Sequence, residues 1–157
     1  MKMPDRTQLE LIQEILATAT QLEVNVRRER VVAGLKTRAA RGQWMWRPPL
    51  GYLRASVGGI KTLIPDPERA RFVRQSFDLY ASGRYASSQV LEIVRSMGLR
   101  TARGRIVSRR TFSSMLRNPA YLGRLVVPRW EIDIPGNWQP LVDAETFGQV
   151  QRLLESE

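Results

Sequence analysis

The sequence predicts an α+β fold, mainly helical, in which a long N-terminal helix precedes a small domain with a helix-turn-helix-like core and short β-hairpins. Three observations carry this expectation. Residues 6–41 contain no Pro and a single Gly, Gly34, so one helix there would span roughly 54 Å at 1.5 Å per residue. From residue 66 onward, segments of helical period alternate with capping residues and Gly or Pro stops. Short strand-like runs are closed by Gly58-Gly59 and by Pro135-Gly136-Asn137.

In the long helix, Leu9, Ile12, Leu16, Ala19, Leu22 and Val26 recur at spacings of three and four and form one apolar stripe. A domain this small cannot cover it, so residues 6–26 are expected to meet another protein surface, either a second copy or another part of the same protein. The second half changes character. Arg27, Arg28, Arg30, Lys36, Arg38 and Arg41 are opposed only by Glu29, a composition suited to phosphate. Gly42 is the expected stop, and Arg47-Pro48-Pro49 prevents resumption. The organisation is therefore a helix over 1–42, a linker over 43–50 and a domain over 51–157. In the linker, Trp44 and Trp46 stand between Arg41 and Arg47. Such side chains can line a minor groove or stack on bases. They can equally cover the edge of the following domain, and that packing role is favoured for at least one of them.

The domain opens with a hairpin, Gly51-Tyr52-Leu53-Arg54 and Thr62-Leu63-Ile64 flanking Val57-Gly58-Gly59. Asp66-Pro67 predicts a helix start, with Ala70, Val73, Phe77 and Tyr80 inward and Gly83 at its end. Ser87 or Ser88 caps the next helix, with Val90, Leu91, Val94 and Met97 inward and Gly98 as its terminal turn. Ser108 caps a third helix that buries Phe112, Met115 and Leu116 and stops at Asn118-Pro119. Strands are expected over Leu122–Val127 and Glu131–Ile134. Asp143 caps a last helix that presents Phe147, Val150 and Leu154 on one face.

Composition narrows the function. The 157 residues include no Cys and no His, which excludes a thiol nucleophile, an imidazole base, a disulfide framework and a Cys/His zinc site. No cofactor is expected, and no metal in this chain. The net charge is +10, and residues 27–130 hold 22 basic against 5 acidic side chains. Arg outnumbers Lys by 22 to 3; its planar fork suits phosphate and guanine edges, although a GC-rich gene gives the same bias. No apolar run approaches a membrane span, so the chain reads as soluble and cytoplasmic, with no membrane partner. Nucleic acid is the leading partner, and the motifs below narrow it to double-stranded DNA.

The sharpest local signal lies in residues 87–117. Helix, Gly turn, basic connection and a helix opening on Ser108 resemble a helix-turn-helix with a lengthened turn. With Phe112, Met115 and Leu116 inward, Arg109, Arg110, Ser113, Ser114 and Arg117 are expected outward, and Arg103 and Arg105 form a basic tip. Catalytic constellations are poor. Asp66 with Glu68 and Asp143 with Glu145 sit at helix starts, where acids answer the helix dipole. Ser108, Ser113 and Ser114 have no His or nearby Lys to activate them. A competing class is a protein-interaction or assembly module whose Arg-rich surface serves RNA or an acidic partner.

The order of the motifs resembles one family. Gln21-Leu22-Glu23, Arg30, Gly34-Leu35 and Arg41-Gly42, followed by Pro49-Leu50-Gly51-Tyr52, look like the end of a serine resolvase/integrase catalytic domain running into its next module. Ile64-Pro65-Asp66-Pro67-Glu68-Arg69-Ala70, Met97-Gly98, Leu116-Arg117-Asn118-Pro119-Ala120-Tyr121-Leu122-Gly123 and Pro140-Leu141-Val142-Asp143 resemble the recombinase domain of the large serine recombinases. The resemblance implies a dimerisation helix whose basic end crosses the DNA backbone, a linker in the minor groove and a domain that reads an attachment-site half. It also implies a bacterial or phage-encoded parent that cleaves and rejoins DNA through a serine. That serine belongs to a domain upstream and the zinc ribbon to one downstream, so a non-catalytic fragment is expected. Val24 departs from the family, which commonly has Arg there.

Overall fold

A computed structural model describes residues 3–157, in two compact units, residues up to Thr37 and Arg38–Glu157. The first unit is helix. Helix α1 runs Arg6–Ala40 and starts on a reciprocal cap: the Asp5 carboxylate accepts from the Gln8 N–H at 2.8 Å, and the Gln8 side chain accepts from the Asp5 N–H at 3.0 Å. The apolar stripe is exposed along its length, from Val26 at 44% to Leu16 at 60%. It is broader than the periodicity predicts, because Leu11 and Ile15 are exposed beside it. The helix ends as expected at Gly42, whose φ of +79° is the left-handed conformation that terminates a helix. There the Gly42 N–H reaches the Ala39 carbonyl at 2.9 Å and the Gln43 N–H reaches Arg38 at 3.2 Å. A Cβ at Gly42 would stand 2.8 Å from the Pro135 carbonyl oxygen, so both torsion and space require Gly.

The second unit is an α+β domain. Strands β1 (Tyr52–Val57) and β2 (Ile60–Pro65) pair antiparallel around Gly58-Gly59. Helices α2 (Ala70–Ala81), α3 (Ser87–Met97) and α4 (Arg109–Arg117) follow. Strands β3 (Arg124–Val127) and β4 (Ile132–Pro135) form a second antiparallel hairpin, and α5 (Ala144–Glu155) closes the domain against α2. One core runs through it, with Phe77, Leu91, Phe112, Leu116, Tyr121 and Leu125 all essentially inaccessible to water. No buried side-chain polar atom among the described residues lacks a hydrogen-bond partner.

The four tryptophans of the chain form a continuous cluster. Trp138 packs edge-on against Trp44 at 5.5 Å, Trp44 against Trp46 at 5.2 Å, and Trp46 stacks on Trp130 at 6.2 Å. Trp138 is buried and donates its indole N–H to the Ala120 carbonyl at 2.8 Å. Asn137 ties the two hairpins together: its amide donates to the Lys61 carbonyl at 2.9 Å, and its carbonyl accepts from the Thr62 hydroxyl at 3.1 Å.

Five local expectations are corrected. Helix α2 begins at Ala70, not Pro67. The Asp66 carboxylate does cap, but it holds an intervening turn by accepting from the N–H groups of Glu68 (2.9 Å) and Arg69 (3.3 Å). The N-cap of α3 is Ala86, because the Gln89 side chain reaches back to its N–H at 2.8 Å; Ser87 and Ser88 lie inside the helix. Met97 is 45% exposed, since the chain reverses at Gly98 and Leu99 takes the next core position. Strand β3 starts at Arg124, because Asn118 caps a 3₁₀ turn over Pro119–Leu122. Strand β4 is Ile132–Pro135, displaced by the left-handed Glu131. Ser108 and Asp143 cap as predicted. The Asp143 carboxylate accepts from the Thr146 N–H at 2.7 Å, and that bond holds its pKa below the usual aspartate range.

Candidate nucleic-acid interface

The arginines divide into two populations. One is spent on the fold. Arg69 pairs with buried Asp66 at 3.1 Å and donates Nε to the Arg100 carbonyl at 3.1 Å. Arg100 donates to the carbonyls of Leu99 (2.8 Å) and Arg95 (3.1 Å). Arg54 donates to the Trp46 carbonyl at 2.8 Å, and Arg124 pairs with Asp133 at 2.8 Å. Arg95 donates Nε and Nη2 to the Val107 carbonyl at 3.0 and 2.6 Å while pairing with Glu92.

The other population has no ion-pair or side-chain hydrogen-bond partner among the described residues. It contains Arg27, Arg28, Arg30 and Lys36 of the first unit, and Arg38, Arg41, Arg47, Arg103, Arg105, Arg109 and Arg110 of the second, all exposed. These include every cation that the sequence pattern selects except Arg117. Lys61, Arg71, Arg74, Arg84 and Arg129, which it does not select, are likewise exposed and without an ion pair or side-chain hydrogen bond among the described residues, although Arg71 lies over the Phe72 ring and Arg129 over the Trp130 ring. A guanidinium with no internal partner keeps all five of its donors for an external acceptor.

The connection between α3 and α4 is built, not loose. An antiparallel bridge pairs Arg100 with Ile106. Inside it, the Thr101 N–H donates to the Arg105 carbonyl at 2.8 Å, the Gly104 N–H donates to the Thr101 carbonyl at 2.8 Å, and the Thr101 hydroxyl accepts from the Arg105 N–H at 3.1 Å. Arg103 and Arg105 are exposed at this turn. Beyond it Val107 is fully buried, and the Ser108 hydroxyl caps α4 by accepting from the Thr111 N–H at 3.1 Å. It also donates to the Thr111 hydroxyl at 3.0 Å, so much of the Ser108 hydrogen-bonding capacity is committed to the cap.

Helix α4 buries Phe112, Met115 and Leu116 as expected and exposes Arg109, Arg110, Ser114 and Arg117. Ser113 is the correction. It is half-buried, accepts a hydrogen bond from Arg117 Nη1, and borders a groove with Ser87, Ser88, Arg109 and Glu157. At 100° per residue it falls on the flank of α4, next to the buried face, and Arg110 and Ser114 lie at the centre of the outward face. In the linker, Trp44 and Trp46 are both half-buried in the tryptophan cluster, and Arg47 is exposed. Their remaining accessible surface borders a shallow apolar depression with Val126, Val127, Pro128 and Arg129. Two features of this region escape the sequence pattern. One is the Arg95 grip, whose partner lies twelve residues away. The other is Ile106, which is 64% exposed in the midst of the free arginines.

A capped helix with an outward basic face, preceded by a hydrogen-bonded basic turn on a compact α+β core, defines a domain of the helix-turn-helix-like class. The chain belongs to the recombinase family of the large serine recombinases: the Recombinase family model matches residues 67–157. Its fold is similar to that of a solved structure described as "Crystal Structure of a LSR-DNA Complex", with a TM-score of 0.63 and 18% identity over 80% of this chain and 39% of that one. It is also similar to a structure described under "Sequence Requirements of the Listeria innocua prophage attP site", with a TM-score of 0.65 and 18% identity over 82% of this chain and 52% of that one. The chain thus spans about half or less of the length of these relatives. No curated protein sequence matches it. No helix among the described residues is long and apolar enough to cross a membrane.

Proposed function

We propose that this chain binds duplex DNA site-specifically, reading one half of an attachment site for a large serine recombinase that integrates, excises or inverts DNA. The observation that carries this reading is the run of free cations: Arg54, Arg69, Arg95, Arg100 and Arg124 are tied to groups of the fold, while the exposed ones along residues 27–47 and 103–110 have no internal partner. In this reading residues 1–42 supply a backbone-contacting helix, 43–50 a linker and 51–157 the reading domain. Arg109, Arg110, Ser114 and Arg117 face base edges or phosphates in the major groove. Arg103 and Arg105 take flanking phosphates, and Arg27, Arg28, Arg30, Lys36, Arg38, Arg41 and Arg47 take backbone charge. Ser108 contributes through its cap, and Trp44 and Trp46 offer their exposed edges to the sugar face of the linker's groove. The exposed apolar residues of 6–26 serve self-association.

The strand-transfer chemistry is assigned to the parent and not to this chain: the hydroxyls of Ser108 and Ser113 bond to Thr111 and Arg117 and not to a base. The test is binding to a duplex selected by the chain from a random-sequence pool, measured against a scrambled competitor. Preference for the selected duplex by about a thousandfold or more supports site-specific reading. Equal affinity for both, or preference for single-stranded RNA, supports the assembly-module alternative. Covalent protein–DNA adducts on supercoiled DNA would overturn the non-catalytic assignment.

A further inference from the structure

Residues 105–111 combine free cations with one large apolar side chain. Ile106 is 64% exposed, and its position is fixed on both sides. Its backbone is bridged to Arg100, and the next residue, Val107, is fully buried with its carbonyl held by Arg95 at 3.0 and 2.6 Å. In an extended segment successive side chains point to opposite sides, so burying Val107 turns Ile106 outward. It stands two residues before the Ser108 cap, ahead of the first turn of α4.

Along the chain its neighbours are Arg103, Arg105, Arg109 and Arg110, exposed and unpaired among the described residues. An isolated exposed aliphatic residue is ordinary on a protein surface. This one stands between exposed cations along the chain and is carried on a backbone held by the Arg100 bridge and the Arg95 contacts to Val107. The apolar group that duplex DNA displays in its major groove is the thymine 5-methyl.

We infer that Ile106 is a specificity-determining residue that packs on the 5-methyl group of a thymine lying beside the base pair faced by Arg110. The inference rests on the DNA-binding reading above and adds to it a base preference at one position. The hydroxyls of Ser108 and Thr111 bond to each other at 3.0 Å, and Ile106 is the exposed apolar side chain ahead of Arg109 and Arg110 at the helix start.

The experiment uses the full chain and the duplex it selects from a random-sequence pool, with each thymine replaced in turn by deoxyuridine. That change removes one methyl and leaves every hydrogen-bonding edge intact. Loss of about fourfold in affinity at one or two thymines, the value of one methyl group taken out of water, is expected for the native chain. Ile106→Ala should bind the thymine and deoxyuridine duplexes equally at those positions, with unchanged thermal unfolding. Tight, selective binding that ignores every thymine methyl overturns the inference and leaves the DNA-binding reading intact. So does a methyl dependence that survives in Ile106→Ala, or a selected site lacking thymine. Absence of any sequence-selective binding overturns both.

Discussion

The guanidinium of Arg95 grips the carbonyl oxygen of Val107 with two donors, at 3.0 and 2.6 Å. This couples the last turn of α3 to the residue that precedes the cap of α4. Because Glu92 holds the same guanidinium from one turn earlier, the side chain has little freedom to release its acceptor. The basic turn over 101–105 and the start of α4 are therefore positioned by α3.

Arg95→Ala should destabilise the domain by about 1.5–3 kcal/mol, the range for hydrogen bonds made by a charged group. Urea unfolding of the intact chain measures this. Amide exchange should accelerate over residues 101–108 while the core amides of α2 and α5 are less affected. Uniform acceleration across the domain would mean that the grip stabilises the whole fold instead of positioning the turn.

Arg110→Ala should cost discrimination at a particular base pair, on the order of 1–3 kcal/mol. Arg27→Ala or Lys36→Ala should weaken all sequences about equally. Competition binding with single-base variants of the selected duplex separates the two patterns. If Arg110→Ala also weakens every sequence alike, α4 clamps phosphate and does not read bases.

Salt should act strongly. Each phosphate neutralised by a free cation steepens the fall of log affinity with log salt by about 0.9. Arg41→Ala and Arg47→Ala should each flatten the measured slope by about that amount. An unchanged slope would place those two side chains away from the DNA backbone.

Tyr52 and Tyr121 stack at 5.9 Å in the core. They donate their hydroxyls to the carbonyls of Gln139 and Leu50 respectively. Burial pushes both phenols above the ordinary tyrosine range. A raised pKa in the folded state means that the neutral phenol is the form the fold favours. Their contribution to stability is complete below the unfolded value near 10 and declines as pH rises beyond it. Denaturant unfolding should show falling stability above about pH 10, and Tyr121→Phe should reduce that dependence. A curve for Tyr121→Phe that falls as steeply as the native one would locate the alkaline sensitivity elsewhere.

Much of the fold is legible in the sequence because its punctuation is local. Ser108, Asp143 and Gly42 act on groups within three or four residues of themselves, and the inward faces of α2, α4 and α5 follow from period alone. What escapes is decided at a distance. Ser87 loses the cap of α3 to Ala86 and Gln89 and turns instead toward Glu157 at 3.3 Å. Met97 loses its core position to Leu99 beyond the turn. In the interface, the exposure of Arg110 and Ser114 is readable from helix period, but the half-burial of Ser113 depends on the groove that α3 and the end of α5 make beside α4. Composition counts Arg54, Arg69, Arg95 and Arg100 as charge for a ligand. The structure shows them tied to backbone carbonyls.

The central claim, that the outward face of α4 reads base edges in a major groove, is tested most directly by dimethyl sulfate footprinting of the selected duplex, which reports guanine N7 in that groove. Protection of one or more guanines within a single half-site, with one of them exposed again in the Arg110→Ala complex, is the predicted result. A bound complex in which every guanine N7 stays reactive would contradict it.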